Sequence, residues 1–415
     1  MSILFHRHFN KVTCVFICGL SFSSIQAADG LRIGLSGTVI AGGSTEGDAH
    51  LGDIQSGGHD PSRNGFSIPN IELSLSGAVD AYFDAQANVV LQINADGETV
   101  LELEEAFMVS RALPAGLQLK AGQYYTEFGR QNAMHPHTWA FVDQPVIASR
   151  LLGADGLRSQ GARLSWLAPT PWYSEVYGGI QNASGETTAS FIGVGSGHAH
   201  GSDESEGEAA FAEYPLVDRS INGAEDFLYS ARWLNGFDHS DTISSNIGIS
   251  ALFGPNNTGQ ESATQIYGLD LYLKWQPENS QKGFPFVAWH TEVMRRSYEA
   301  GDDSNEEHQT LTDSGFFSYV QWGFKPNWIL GVRYELASGS EVRHDEHAGE
   351  HEDEEPDPLR DSRQRISTNL TYLPTEFSKI RLQYNNDTAD HLDGAAHSIW
   401  LQFEYSIGAH KAHSF

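Results

Sequence analysis

Apolar and polar residues alternate with period two in many short stretches of the chain. The stretch near the carboxyl end is the clearest, with Ile399, Leu401, Phe403, Tyr405 and Ile407 on one face and Trp400, Gln402, Glu404 and Ser406 on the other. This alternation predicts a strand with one face in lipid and the other toward a polar lumen. No stretch of about 20 apolar residues exists, so the sequence excludes membrane-spanning helices.

The same pattern, bounded by turn residues, recurs about 16 times and predicts an all-β fold: a transmembrane antiparallel β-barrel with long extracellular loops. Predicted strands include residues 31–42, 66–77, 83–94, 100–111, 267–275, 328–335 and 366–372. Short connections at 112–115, 168–171, 325–327 and 373–376 alternate with long ones at 43–65, 126–156, 184–223, 298–312 and 341–361. An even-stranded barrel with both ends in the periplasm requires this alternation, and a barrel of this size is wide enough for an aqueous channel.

The amino-terminal region predicts a secretory signal peptide over residues 1–28. A basic segment precedes an apolar run at residues 12–22, and small residues follow that run. Residues 29–415 are then expected to form a single outer-membrane barrel domain. Both cysteines, Cys14 and Cys18, leave with the signal. The mature chain is therefore expected to have neither disulfides nor thiolate ligands.

The charge of the chain limits the kinds of partner that it is expected to bind. It carries 54 acidic and 25 basic side chains, a formal net charge of −29. This field repels nucleic acid and concentrates cations. The expected surroundings are outer-membrane lipid and lipopolysaccharide in a Gram-negative cell. The expected assembly partner is the barrel assembly machinery, which reads a last strand ending in an aromatic residue such as Phe415.

The third long connection, residues 126–156, is rich in aromatic residues, proline and arginine rather than acid. Such a segment would be costly to leave in water, so we expect it to pack. It would form either a constriction inside the barrel or a structural plug. The candidate constriction residues are Arg130, His135, His137, Asp143 and Arg150.

Two other long connections combine histidine with carboxylate side chains. Residues 184–223 contain His198, His200, Asp203 and Glu204, and residues 341–361 contain His344, Asp345, Glu346, His347 and His351. Imidazole with carboxylate suits Zn²⁺, and also Ni²⁺, Co²⁺ and Cu²⁺. Both loops have few apolar residues to bury, so disorder is expected. Weak capture of cations at the pore mouth is therefore favoured over a site of fixed geometry.

One run in the third connection carries a family resemblance: His135, Pro136, His137, Trp139, Phe141, Val142, Asp143, Gln144 and Pro145, then Leu152, Gly153, Asp155, Gly156 and Leu157. It resembles a porin-like outer-membrane family whose members are often labelled zinc-regulated outer-membrane receptors. The ending Gly408, Ala409, His410, Ala412, His413 and Phe415 is similar to that of the same family. More distantly, Glu104, Glu105 and Ala106 with Gly122 and Gly129 are similar to phosphate-selective porins.

The resemblance implies a channel that works by passive or facilitated diffusion. It implies no required cofactor, with Zn²⁺ as a loop-bound ion or a transported ligand, and a homotrimer is a further expectation because 16-stranded porins commonly trimerise. A receptor with a separate plug domain and a barrel of about 22 strands does not fit, because a strand beginning near Leu31 leaves no room for the plug.

The charges predicted for the lumen leave the selectivity open. They are Arg163, Arg232, Lys274, Arg333, Arg365 and Arg381, with Glu102, Glu104, Asp270, Glu335 and Glu404. An anion-selective porin, phosphate-like, is the nearest alternative and predicts a ladder of Arg and Lys down one wall. A non-conducting binding or structural barrel is another. An enzyme is not expected, because the sequence has no Gly-x-Ser-x-Gly elbow and no zinc-protease helix motif.

Overall fold

The computed structural model describes residues 30–408 except 95–96, 194–209, 213, 302–307 and 342–355. Sixteen antiparallel strands close into one barrel in which sequence neighbours pair and the last strand pairs with the first. The strands are β1 Arg32–Ser44, β2 Gly65–Ala78, β3 Phe83–Ile93, β4 Thr99–Ser110, β5 Leu117–Tyr125, β6 Arg158–Leu167, β7 Tyr173–Asn182, β8 Phe227–Ser240, β9 Ile243–Pro255, β10 Ala263–Trp275, β11 Phe286–Ala300, β12 Gln309–Lys325, β13 Trp328–Gly339, β14 Arg363–Thr375, β15 Ser378–Ala389 and β16 Ala396–Gly408. The prediction of a 16-stranded antiparallel barrel is confirmed.

The last strand shows how the sequence pattern becomes a barrel wall. In β16, Ile399 and Leu401 are about half exposed on the outer face, at 56% and 49%, whereas Trp400 and Gln402 are buried, at 0% and 3%. Successive side chains of a strand point to opposite faces. The register of β16 against its neighbour therefore determines which residues of β16 face outward and which face the lumen. That register pairs β16 with β1, from Gly34 opposite Gly408 to Ser44 opposite Ser398.

The outside of the barrel is apolar and its inside is charged. Leu269, Val293 and Val332 lie exposed on the outer surface, while Arg333 and Glu335 are buried on the inner face. An apolar band around a closed barrel is what a bilayer requires, because lipid offers no partner to polar side chains or to free strand edges. The protein is therefore located in the bacterial outer membrane.

The connections alternate between short turns at one end and longer loops at the other, which we call the turn end and the loop end. Two predicted boundaries were wrong. The connection predicted at residues 298–312 spans only 301–308, because β11 and β12 extend outward, where Tyr298 and Leu311 pack together with Phe211. The turn predicted at 373–376 lies at 376–377, because β14 continues through an irregularity to Thr375.

The helices all lie in the connections. They are α1 Asp48–Ile54, α2 Val146–Leu152 and the 3-10 turns Pro114–Gly116, Pro136–Thr138 and Ala224–Asp226. Short strand pairs also occur there, Ser184–Gly185 with Ile192–Gly193 and Ala210–Phe211 with Tyr214–Pro215. In the part of the chain that the structure describes, no helix is both long and apolar enough to cross a bilayer.

The largest apolar core lies inside the barrel and is formed around the third loop, residues 126–157. Phe141, Ile147 and Leu151 of this loop are buried against Phe317 of β12 and Met294 of β11. The apolar residues of the loop thus pack against apolar side chains on the inner wall. The third loop is fixed inside the lumen as a packed element.

Candidate functional site

The third loop enters the lumen beside β11. The carboxylate of Glu292 accepts the backbone N–H groups of Arg130 and Gln131, each at 2.7 Å, and the hydroxyl of Ser250 accepts that of Gly129 at 3.1 Å. Gly129 has φ +59°, and a Cβ at this position would collide with the Glu292 carboxylate. Glycine is therefore required at the point where the loop turns inward.

Farther along the loop, Asp143 is bound to the wall formed by β13, β14 and β15. It accepts hydrogen bonds from Arg333 at 2.5 Å, Gln383 at 2.9 Å and Asn385 at 2.6 Å, and Arg365 lies 3.3 Å away. Burial alone would raise the pKa of Asp143, but Arg333 and Arg365 outweigh burial and hold it well below its usual range. Both carboxylate oxygens have donors, so this anchor is fully satisfied.

We call the cationic side of the lumen around Asp143 the basic wall, which comprises Arg333, Arg363, Arg365, Lys379 and Arg381. Arg363 and Arg365 each lie 2.8 Å from Asp387, and Lys379 lies 2.7 Å from Glu404. Arg381 donates to the carbonyl of Trp139 at 2.8 Å, and Lys379 donates to that of His137 at 2.9 Å. Arginine and lysine side chains do run down one wall. They are either paired with carboxylates or donate hydrogen bonds to the third loop.

Farther round the barrel, β2 and β4 present three buried carboxylates, Glu72, Glu104 and Glu105. In a regular strand, adjacent side chains point to opposite faces, so Glu104 and Glu105 could not both point into the lumen. The β3–β4 ladder shifts register here, with Asn88 opposite Glu105 and Val89 opposite Leu103. Glu104 is the extra residue of this β-bulge, which turns both carboxylates inward.

Two histidines of the third loop meet these carboxylates, and we call the five residues the His/Glu cluster. Nδ1 of His135 lies 2.9 Å from Oε2 of Glu104 and 3.4 Å from Oε2 of Glu72, and its Nε2 lies 3.1 Å from Oε2 of Glu105. Nδ1 of His137 lies 3.1 Å from Oε2 of Glu72. The Pro136–Thr138 turn holds both imidazoles toward the wall, with the ring centroids 5.7 Å apart.

The cluster carries an excess of negative charge. Burial lowers the pKa of His135, but the carboxylates of Glu104 and Glu72 raise it well above its usual value. Even with both imidazoles protonated, three carboxylates outnumber two cations. Arg158 pairs with Glu102 and donates to the hydroxyl of Tyr125 at 3.2 Å.

Two cavities of opposite charge flank the third loop. A cavity of about 430 Å³ at the loop end is lined by Asp48, Asp53, Asp60 and Asp155 and, among the residues that the structure describes, by no lysine or arginine. Burial, together with the charge of Asp143, raises the pKa of Asp60 to about 7. A second cavity toward the turn end is lined by Arg130, Lys379 and Arg381, with no carboxylate in the part of its lining that the structure describes. The barrel thus contains an acidic cavity at the loop end and a basic cavity toward the turn end.

The candidate constriction residues separate into different places. His135 and His137 lie in the His/Glu cluster and Asp143 lies against the basic wall. Arg130 lines the second cavity, with its guanidinium 4.0 Å from the centre of the Tyr272 ring. Arg150 instead pairs with Asp361 at 2.5 Å and donates to the carbonyl of Pro358, so it joins the third loop to the connection before β14.

The candidate metal ligands of the other two loops lie outside the described residues. They are His198, His200, Asp203 and Glu204 in 194–209, and His344, Asp345, Glu346, His347 and His351 in 342–355. Sequence reasoning missed Glu72 and the meeting of Glu105 with the histidines. Glu72 lies on the polar face of β2 with Asn70. That alternation could have identified it as facing the lumen.

Comparison with known proteins places the chain among outer-membrane barrels. No family model matches the sequence. OprB of Pseudomonas putida, solved at high pH, superposes with a TM-score of 0.53 at 9% identity, over 91% of this chain and 94% of that one. The outer-membrane channel DcaP of Acinetobacter baumannii gives 0.50 at 12% identity, over 91% and 96%. At these identities the likeness establishes the fold alone.

A closer relative in sequence comes from Aquifex aeolicus (strain VF5) and bears the description "Uncharacterized protein". It is 31% identical over 378 residues, which cover 86% of this chain and 73% of that protein. Similarity at this level and over this length reflects a shared family. The chain belongs to the family of this Aquifex aeolicus protein and has the fold of outer-membrane porins.

Proposed function

We propose that the protein is an outer-membrane porin through which small solutes diffuse, with cations favoured at its mouth. The observation that carries this proposal is the acidic cavity at the loop end, whose described lining contains four aspartates and no basic side chain. A carboxylate-lined opening concentrates cations and repels anions. The formal charge of −29 strengthens that effect at long range.

The third loop sets the width of the passage in this proposal. It is anchored at Glu292, at the basic wall and at the His/Glu cluster, so it crosses the lumen between opposite walls. Anchors on three sides support a permanently narrowed channel rather than a flap that opens. Conductance should then be small for a barrel of 16 strands.

An anion-selective porin is the second candidate, and one observation favours it. The cavity below the third loop is lined by Arg130, Lys379 and Arg381. If this cavity is the narrowest part of the route, its charge and not that of the mouth would decide selectivity. The pairing of Lys379 with Glu404 weakens this alternative, since a paired charge attracts a passing anion less.

The refolded protein in a planar bilayer tests the proposal through its reversal potential under a KCl gradient. We expect a cation preference that falls about twofold when Asp48 and Asp53 are both changed to Asn, because these residues line the mouth. Asp84→Asn is the matched control, since Asp84 is exposed near the turn end. A preference for chloride would favour the anion porin, and a barrel without conductance would contradict both.

The proposal also includes weak zinc binding by two loops that lie outside the described residues. We propose that His198, His200, His344, His347 and His351, with the neighbouring carboxylates Asp203, Glu204, Asp345 and Glu346, gather divalent ions weakly above the mouth. Changing the five histidines to Ala should lower zinc binding and leave KCl conductance nearly unchanged. Equal losses of zinc binding and of KCl conductance would contradict the proposal that the loops bind zinc while the barrel conducts ions.

A further inference from the structure

We propose that Glu72, Glu104 and His135 form a site for one divalent transition-metal ion, of the Zn²⁺ kind, between the third loop and the barrel wall. The site is distinct from the weak capture proposed for the outer loops. It also does not depend on the ion selectivity of the channel, because it rests on the internal geometry of the His/Glu cluster alone.

The three ligand atoms already converge. Oε2 of Glu72, Oε2 of Glu104 and Nδ1 of His135 all lie within 4.8 Å of one another. Zn²⁺ binds nitrogen and carboxylate oxygen at about 2.0–2.2 Å, so neighbouring ligands of a tetrahedral ion are about 3.3 Å apart. Nδ1 of His135 lies 3.4 Å from the Glu72 oxygen and 2.9 Å from the Glu104 oxygen. These two separations are within a few tenths of an ångström of the spacing that the ion requires.

Two of these atoms face each other. Oε2 of Glu104 and Nδ1 of His135 are buried 2.9 Å apart, and neither has another hydrogen-bond partner among the described residues. Glu104 is completely buried, at 0% exposure. A buried carboxylate oxygen whose one neighbour is an imidazole needs a cationic partner, which is either the protonated ring or a metal ion bound to both atoms.

The remaining atoms of the three ligands are held by neighbours. The hydroxyl of Tyr125 donates to Oε1 of Glu104 at 2.7 Å, and Asn88 donates to Oε1 of Glu72 at 2.5 Å. Nε2 of His135 lies 3.1 Å from Oε2 of Glu105. This carboxylate is placed to accept the imidazole N–H, which would leave Nδ1 free as a ligand. Outer contacts of this kind orient the ligands of zinc sites.

The charge of the cluster also suits a cation. With neutral imidazoles, Glu72, Glu104 and Glu105 contribute three buried negative charges, which repel one another at low dielectric. One divalent ion would cancel most of this charge. Three protein ligands leave a fourth position for water or for His137, whose Nδ1 is 3.1 Å from the shared Glu72 oxygen.

An ion at this position would link the third loop to β2 and β4, strands that its other anchors do not reach. Glu72 lies on β2, Glu104 on β4 and His135 on the loop, so binding cross-links three segments far apart in sequence. Any ligand that binds only the folded state stabilises it. The metal is therefore expected to hold the constriction in place.

The test measures binding of Zn²⁺ and Co²⁺ to the full-length mature protein, refolded after removal of metal. The background is the variant with the five outer-loop histidines changed to Ala, which removes the proposed weak sites. We expect one tight equivalent of Zn²⁺, a Co²⁺ visible absorption band typical of a four- or five-coordinate site, and a higher thermal unfolding midpoint with Zn²⁺.

Glu104→Gln and His135→Gln should each remove the tight equivalent or weaken it at least tenfold, since changes even to outer-shell contacts cost about 10- to 100-fold. Glu102→Gln is the matched control, because Glu102 lies on the same strand and pairs with Arg158 instead. Folding of each variant is checked by heat-dependent migration in SDS gels. If His135→Gln fails to fold, Glu72→Gln replaces it.

Two results would overturn the proposal. One is the absence of a tight equivalent in the background variant, which would leave the cluster as an ion-pair network of protonated His135. The other is equal affinity in folded Glu104→Gln and Glu102→Gln. Neither result bears on the porin proposal, which depends on conductance and reversal potential.

Discussion

The third loop is held by two walls of opposite chemistry. At the basic wall, Asp143 accepts hydrogen bonds on both carboxylate oxygens from arginine and amide donors. At the His/Glu cluster, carboxylates face imidazole rings, and Oε2 of Glu104 lies 2.9 Å from Nδ1 of His135. Both contacts are buried and both join the same loop to the barrel.

The difference lies in charge balance. Around Asp143, the carboxylates of Asp143, Glu335 and Asp387 match the guanidinium groups of Arg333, Arg363 and Arg365. In the His/Glu cluster, three carboxylates face two histidines. A charge-balanced network of buried ion pairs acts as an anchor. An unbalanced one retains the capacity to bind a cation.

The largest effect is expected from breaking the balanced side with Asp143→Ala. This change leaves Arg333 and Arg365 buried without their shared partner, and removing one member of a buried ion pair costs about 3–5 kcal/mol. The third loop should detach from the basic wall. Single-channel conductance is expected to rise severalfold, and the loop should become sensitive to protease.

The control for Asp143→Ala is Asp84→Ala, which breaks the exposed pair of Asp84 with Arg111. An exposed pair contributes about 0–1 kcal/mol, so conductance and protease resistance should stay at their original values. Unchanged conductance in a folded Asp143→Ala protein would show that the basic wall does not hold the constriction.

The first loop contacts the third loop through Asp60, whose carboxylate accepts the backbone N–H of Gln144 at 2.8 Å. Its pKa is about 7 in the folded protein against an ordinary 3.8, so between these values the folded state binds more protons than the unfolded chain. The free energy of unfolding should therefore fall as the pH rises from about 4 to 7, and then level off.

Thermal unfolding in detergent at several pH values measures this dependence. Asp60→Asn should flatten it, because the amide can still accept the Gln144 N–H and has no proton to lose. Asp53→Asn serves as the comparison, since Asp53 lines the same cavity. An identical pH profile in wild type and Asp60→Asn would assign the dependence to another group.

The barrel and the position of the third loop were predictable, but the chemistry of the His/Glu cluster was not. Alternation determines which residues face the lumen, and composition identified residues 126–156 as a segment that packs. Regular alternation through Glu102 and Glu104, however, sends Glu105 toward lipid. Only the register shift between β3 and β4 turns it inward. No local pattern indicates that a bulge occurs there.

A smaller effect, on ion selectivity, is expected from changing Arg130, because its guanidinium could act on an ion that diffuses past. Within the described residues Arg130 forms no ion pair and lies over the Tyr272 ring. Arg130→Gln should shift the permeability ratio toward cations by about twofold, as measured by reversal potential. Arg111→Gln near the turn end is the control. A shift of equal size in the control would point to a general charge effect.

The smallest effect on thermal stability is expected for Glu105→Gln in metal-free protein. This variant distinguishes most clearly between the basic wall and the His/Glu cluster. The amide oxygen can still accept the backbone N–H of Tyr125, which lies 3.3 Å from Oε1 of Glu105, and the excess of three carboxylates over two histidines is removed. Loss of a buried carboxylate should therefore leave the thermal midpoint unchanged or raise it slightly, whereas loss of Asp143 lowers it by many degrees. In the presence of Zn²⁺ the sign should reverse, because His135 loses the carboxylate that orients it. If Glu105→Gln destabilises the metal-free barrel as strongly as Asp143→Ala, the His/Glu cluster is a balanced anchor like its counterpart, and the distinction between the two walls fails.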